Sequence, residues 1–185
     1  HSYGDRYGLG EPTRQETPRI KKIAAAFEAA GLKPKIYPEI RNDIWLKLWG
    51  NLCFNPISSL THATLDIVAT DPGTRSVALK MMEEAEIIAR RIGAHFRVDI
   101  ERRINGAASV GAHRTSMLQD LEKGRQIELD ALLTVVQEMG RLVDVSTPTI
   151  DTVLALTQQM GRVASVYPVF PESVLVDEPD DTVVD

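Results

Sequence analysis

Apolar positions recur every three or four residues along most of the chain, and the gaps between these runs carry helix-start and helix-stop chemistry. Ile20, Ile23, Ala24 and Phe27 form one stripe, opened by Thr17-Pro18 as cap and first helical residue and closed by Gly31. Leu32 to Tyr37 reads as a short strand closed by Pro38, and residues 1–10, rich in glycine and tyrosine, as extended or turn structure. From Glu39 onward the pattern is almost wholly helical. Leu60 to Ile67 turns and restarts. Asp71-Pro72 opens a long helix through Val77, Met81, Met82, Ala85 and Ile88, stopped at Gly93. Asp99 to Ile104 predicts a shorter helix running into Asn105-Gly106 and a small-residue loop, Ala107 to Ala112. Ser116 opens a Ser-x-x-Gln119 capping box before a short helix that breaks at Gly124. Gln126 to Val143 follows as a strongly periodic helix with Leu129, Leu132, Val136 and Met139 on one face. Thr147-Pro148 starts the last helix, with the stripe Ile150, Val153, Leu154 and Leu156, and Tyr167 to Asp185 is a proline-containing acidic tail expected to be loosely held.

One stretch departs from simple amphipathicity. If Asn42 to Asn55 is helical, Lys47, Asn51 and Asn55 fall four residues apart and share a polar stripe, while Trp45, Leu48, Trp49 and Leu52 take the neighbouring faces. Pro56 lacks the N–H to bond the Leu52 carbonyl, so the helix should end or kink there and leave Asn55 at a bend. A polar stripe on an apolar helix is solvated, paired or used. A surface helix with a snorkelling lysine would suffice to explain it.

Composition narrows the classes. The 185 residues suffice for one domain core, or one domain plus part of another, and 43% hydrophobic with 25% charged residues is ordinary for a globular protein. Aromatics at 5% favour helices over a β-sandwich. A net charge of −5 argues against non-specific nucleic-acid binding. No run approaches the roughly 18 apolar residues of a membrane span. Cys53 is the single cysteine, which excludes an internal disulfide and fits a reducing compartment. The chain opens on His1 with neither an initiator methionine nor a visible signal peptide, and reads as a processed or excised piece. Gly8-Leu-Gly10 lacks the third glycine and the preceding strand of a dinucleotide fingerprint.

Few residues suggest chemistry by spacing alone. His113, Ser116 and Asp120 could be set out as a nucleophilic triad, but no strand-turn-helix elbow surrounds the serine. His62, His95 and His113 stand too far apart for a structural metal site. Glu128 has a sufficient structural role as a first-turn carboxylate facing its helix dipole, and Ser116 as a helix cap. Asn55 could be only a turn residue before proline and Asn51 only a surface amide.

Lys47, Asn51 and Asn55-Pro56, taken with Ser116-Met-Leu-Gln-Asp120 and Glu128-Leu-Asp130, resemble the C-terminal half of the ketopantoate reductase (2-dehydropantoate 2-reductase) family, from about Gly8 to about Arg162. The resemblance implies a mainly α fold: a multi-helix C-terminal domain of the ketopantoate reductase / 6-phosphogluconate dehydrogenase type, with a short α/β remnant at the N-terminus. Residues 1–38 would be the end of a Rossmann-type NADP-binding domain, 39–166 the helical substrate and dimerisation domain, and 167–185 the tail. It further implies NADPH-dependent reduction of a 2-oxo acid, ketopantoate to pantoate, in pantothenate and coenzyme A synthesis in the cytoplasm. Lys47 would be the general acid. Glu128 would organise Lys47 and touch the cofactor, while Asn51, Asn55 and Ser116 would bind substrate. Most of the NADP site would lie in the chain's own absent N-terminal Rossmann domain, so the isolated fragment should fold without turning over.

A homodimer is allowed, and neither nucleic acid nor membrane is an expected partner. Ser116 and Glu128 stand 12 residues apart, about 3.3 turns and roughly 120° on one continuous helix, so they can share a pocket only if the chain breaks near Gly124. Family members often carry another asparagine about ten residues beyond the second of the pair. This chain has Leu65 there, which leaves open a related reductase for a different 2-oxo acid. A non-catalytic helical dimerisation or binding module is the alternative of another class.

Overall fold

The computed structural model describes residues 5–168, a mainly α chain with one two-stranded sheet. Strand β1 (Arg6–Leu9) pairs in parallel with β2 (Lys33–Ile36), in register from Arg6 opposite Lys33 to Leu9 opposite Ile36. Helix α1 (Pro18–Ala29) makes the crossover. The Thr17 hydroxyl accepts from the Ile20 N–H at 3.3 Å, and Gly31 turns the chain at φ +78°. Ile20 and Ala24 are buried, but Ile23 is 38% exposed and lies off the stripe. The buried Glu11 is held by the Thr17 hydroxyl and the Arg19 guanidinium, the pairing a buried carboxylate requires. Gly10 is fixed by packing, since a Cβ there would collide with Ile40 at the start of the next helix.

Helix α2 (Ile40–Thr61) is the axis of the rest, and it continues through Pro56. Of the end or kink expected at this proline, the end does not occur. Every residue from Leu52 to Ser59 is buried, so the packing of both flanking turns outweighs the roughly 3 kcal/mol cost of an internal proline. The helix ends instead at His62, whose φ of 55° is left-handed. Trp49 is fully buried, donates from Nε1 to the Met82 carbonyl at 2.8 Å, and stacks on Phe96 with ring centroids 4.0 Å apart. Leu52, Met81, Met82, Ile88, Ile104, Leu129, Leu133 and Ile150 complete the centre of the core. Cys53 fills space there, and burial pushes its thiol pKa well up.

Helices α3 (Leu65–Thr70) and α4 (Pro72–Arg91) follow, with the Asp71 carboxylate accepting from the Thr74 N–H at 2.9 Å. Helix α5 (Ile100–Ala108) runs through Asn105-Gly106 where a loop was expected. Ile104 and Ala107 are both buried, and Arg75 donates to the Asn105 side chain at 3.2 Å, so tertiary contacts carry the helix past its weak residues. Helix α6 (Ser116–Glu122) is capped by Thr115, whose hydroxyl accepts from the Leu118 N–H. Ser116 is the first helical residue, and the expected capping box does not form: Gln119 donates to the Arg114 carbonyl instead.

The helix expected from Gln126 begins only at Leu129, with a π-helical turn (Asp130–Thr134) that continues as α7 (Val135–Leu142). The Ile127 N–H is already bonded to the Val166 carbonyl at 3.0 Å, and 126–128 stay outside the helix. Helix α8 (Pro148–Val163) buries Ile150, Val153 and Leu154, while Leu156 is 56% exposed. Its N-terminus is covered by Glu84 of α4, which accepts from the Thr149 and Ile150 N–H groups at 2.8 and 3.0 Å. Of the expected loose tail, Tyr167 is anchored, donating its hydroxyl hydrogen to Asp130 at 2.7 Å; residues 169–185 lie outside the described residues.

Candidate active site

One side of α2 presents Lys47, Gly50, Asn51, Phe54 and Asn55 to a cavity of about 480 Å³. Arg103 and Ala107 approach it from α5, Leu65 from the start of α3, and Ser116 from the start of α6. Glu128 closes the circle. All five residues singled out from sequence therefore border one space. The volume suits a small metabolite.

Local structure explains each placement. Lys47, Asn51 and Asn55 share a face because α2 keeps its helical period through this stretch. Asn55 is 5% exposed, and its Nδ2 makes a long contact of 3.5 Å with Ser116 Oγ. Because Thr115 does the capping, the Ser116 hydroxyl is free to face the cavity. Gly124, at φ +64°, reverses the chain after α6. In the non-helical segment that follows, Ile127 is buried in the core and Glu128 borders the cavity. Lys47, Ser116 and Glu128 are all exposed. Lys47 and Glu128 share the cavity without forming an ion pair.

Arg103 was not anticipated from sequence. A Cβ on Gly50 would collide with its guanidinium, so the group lies close against the backbone of α2. A glycine in mid-helix costs about 1 kcal/mol relative to alanine. That cost, set beside an arginine occupying the vacated space, is the one sequence signal that could have flagged the pair. Among the described residues Arg103 has no carboxylate or carbonyl partner, whereas the half-buried Arg75 is bonded to Glu101, Asn105 and the Ala69 carbonyl. Burial draws the Arg103 pKa below the usual guanidinium value, yet the group stays cationic at any physiological pH. The cavity thus holds two cations against one carboxylate in a chain of net charge −5. It favours an anionic ligand.

The other constellations do not assemble. Asp120 is occupied by Arg125, at 2.8 Å from its Nε, so it does not complete a triad with His113 and Ser116. No group of three or more His, Cys, Asp or Glu among the described residues is placed to hold a metal. No described helix is long and apolar enough to cross a membrane.

Fold and cavity together define a helical domain with an open cavity lined by two cations and one carboxylate. The family described as "Ketopantoate reductase PanE/ApbA C terminal" matches residues 39–161, and the chain belongs to the ketopantoate reductase family. It is similar to the 2-dehydropantoate 2-reductase of Mesorhizobium japonicum, at 52% identity over 151 residues that make up 82% of this chain and 46% of that protein. Among solved structures it resembles a chain from Ralstonia solanacearum MolK2 assigned to ketopantoate reductase, with 41% identity, a TM-score of 0.85, and 90% of this chain and 51% of that one covered. It also resembles the 2-dehydropantoate 2-reductase of Methylococcus capsulatus, at 30% identity and a TM-score of 0.79, over 89% of this chain and 57% of that one. The chain spans about half the length of the curated relatives it matches.

Proposed function

We propose that this chain is the C-terminal part of an NADPH-dependent 2-dehydropantoate 2-reductase that converts ketopantoate to pantoate for pantothenate and coenzyme A synthesis. Residues 39–166 form the helical substrate and dimerisation domain in this reading. Residues 1–38 are the end of a Rossmann-type nucleotide-binding domain, and 167–185 are a tail. The enzyme is cytoplasmic, and its helical domain takes part in a homodimer.

The convergence of Lys47, Asn51, Asn55, Ser116 and Glu128 on one cavity carries the reading. When bound, a reduced nicotinamide would supply the hydride for the carbonyl carbon. Lys47 polarises the ketone and gives its proton to the developing alkoxide oxygen. Glu128, across the same cavity, would orient Lys47 once the site is covered and would contact the cofactor. Asn51 and Asn55 offer amide donors and acceptors to hold the oxo acid, and Ser116, at the start of α6, hydrogen-bonds its carboxylate.

Gly8 of β1 and Gly10 just beyond it are packed against Tyr37 and Ile40, so these two glycines do not form a phosphate cradle. In this reading the cofactor is held mainly by the nucleotide-binding domain. The 185-residue chain alone should fold and show no NADPH-dependent turnover.

The test is a steady-state assay of the full-length enzyme, wild type and Lys47→Ala, against ketopantoate and other 2-oxo acids. Activity on ketopantoate with kcat lowered at least about 100-fold in the variant is the expected result. Absence of turnover on every 2-oxo acid would overturn the reading in favour of a helical binding module. A second reading, a reductase for another 2-oxo acid, is favoured by Leu65, which puts an apolar side chain on the cavity wall.

A further inference from the structure

We propose that Arg103, seated on Gly50, grips a carboxylate of the 2-oxo acid and is a specificity-determining residue of this site. The proposal rests on the reading of the cavity as the substrate site. Four observations support it. The guanidinium borders the same cavity as Lys47, Asn51, Asn55, Ser116 and Glu128. It lies against the one stretch of α2 where a glycine leaves room for it. It is half-buried and has no acceptor among the described residues, which leaves its donors open to a ligand. Its neighbour Arg102 is exposed and does not border this cavity, so the arrangement is particular to position 103.

Position along α2 adds a geometric constraint. At about 1.5 Å per residue, Gly50 stands roughly 4.5 Å from the level of Lys47 and roughly 7.5 Å from that of Asn55, which meets Ser116. A carboxylate accepting from one donor on each oxygen bridges roughly 7–8 Å, so a single carboxylate can lie between Arg103 and Ser116. Arg103 therefore takes either the carboxylate next to the ketone, shared with Ser116, or a second carboxylate at the far end of a longer acid. The recognised chemistry is the same: a planar two-oxygen anion against a planar fork of N–H donors.

The experiment uses the full-length enzyme with Arg103→Met and Arg103→Lys, measuring kinetic constants for NADPH, ketopantoate and 2-oxoglutarate. For Arg103→Met the oxo-acid KM should rise about 10- to 150-fold, the loss expected for a hydrogen-bonded charge pair, with the NADPH KM nearly unchanged. Arg103→Lys should fall between, because it keeps the charge and loses the fork. A rise for both acids assigns Arg103 to the carboxylate beside the ketone; a rise for 2-oxoglutarate alone assigns it to a distal one.

An unchanged oxo-acid KM in a folded variant would overturn the proposal. So would a rise confined to the NADPH KM, which would make Arg103 a cofactor-phosphate ligand. Should Arg103→Met fail to fold, Arg103→Lys carries the same comparison. A wild type inactive on every 2-oxo acid would defeat the functional reading itself. An active wild type insensitive to Arg103 would defeat only this inference.

Discussion

Gly50→Ala separates the stability of α2 from the use of its surface. In a helix interior the change from glycine to alanine stabilises by about 1 kcal/mol through backbone entropy. The new methyl group would collide with the Arg103 guanidinium, the mobile end of a long side chain beside an open cavity. The arginine can swing into the cavity and recover hydration without moving backbone, so little of the propensity gain is lost. The expected change in stability is therefore between about 0 and +1 kcal/mol, or an upward shift of up to about 2–4 °C in Tm for a domain of this size.

Carboxylate binding should move the other way. With the fork displaced, the oxo-acid KM should rise about tenfold, equivalent to about 1.4 kcal/mol. Urea unfolding followed by circular dichroism gives the first quantity, and steady-state kinetics of the full-length variant the second. A variant destabilised by more than about 1 kcal/mol with an unchanged KM would refute the reasoning. It would mean that Gly50 and Arg103 form a packing contact and nothing more.

Two other predictions concern the frame around the site. Glu84→Ala removes the acceptor of the Thr149 and Ile150 N–H groups, one of them on a fully buried residue, and should cost about 2–4 kcal/mol in urea unfolding; a cost below about 0.5 kcal/mol would show that water replaces the carboxylate. Hydrogen bonds from Arg19 and then Thr17 hold the Glu11 carboxyl below its ordinary value of 4.5, so the stability it lends the β1–α1–β2 unit is fully present above that pH and is lost as pH falls through the lower folded value. Amide exchange in α1 should accelerate between about pH 5 and 3 beyond its intrinsic pH trend in wild type and not in Glu11→Gln, and equal profiles would remove Glu11 from the account.

What could be read from the sequence was what local period and local punctuation determine. Lys47, Asn51 and Asn55 share a face because a helix dictates it, and the Gly124 break was required before Ser116 and Glu128 could meet. The errors arose where distant residues supply what the local sequence lacks. Burial on all sides carries α2 past Pro56. The Val166 carbonyl takes the Ile127 N–H and delays the next helix, and Glu84 serves α8 across 65 residues. Thr115 and Ser116 are both good caps, and a shift of one residue decides which hydroxyl is consumed and which is left for the cavity. Arg103 was invisible for the same reason, since only the approach of α5 to α2 distinguishes it from Arg102.

The exposure of Lys47, Ser116 and Glu128 bears on why such a domain would be paired with another. Two unit charges 4 Å apart interact by about 1 kcal/mol in bulk water and about 4 kcal/mol at an effective dielectric near 20. In the open cavity Lys47 and Glu128 are solvated separately and make no ion pair, so neither orients the other strongly. Covering the cavity would exclude water, draw the ammonium and carboxylate together, and strengthen every hydrogen bond to a bound anion. The proposed nucleotide-binding domain would supply such a cover. The order of side chains is already set by α2, α6 and the segment after Gly124, and the added domain would change the medium in which they act.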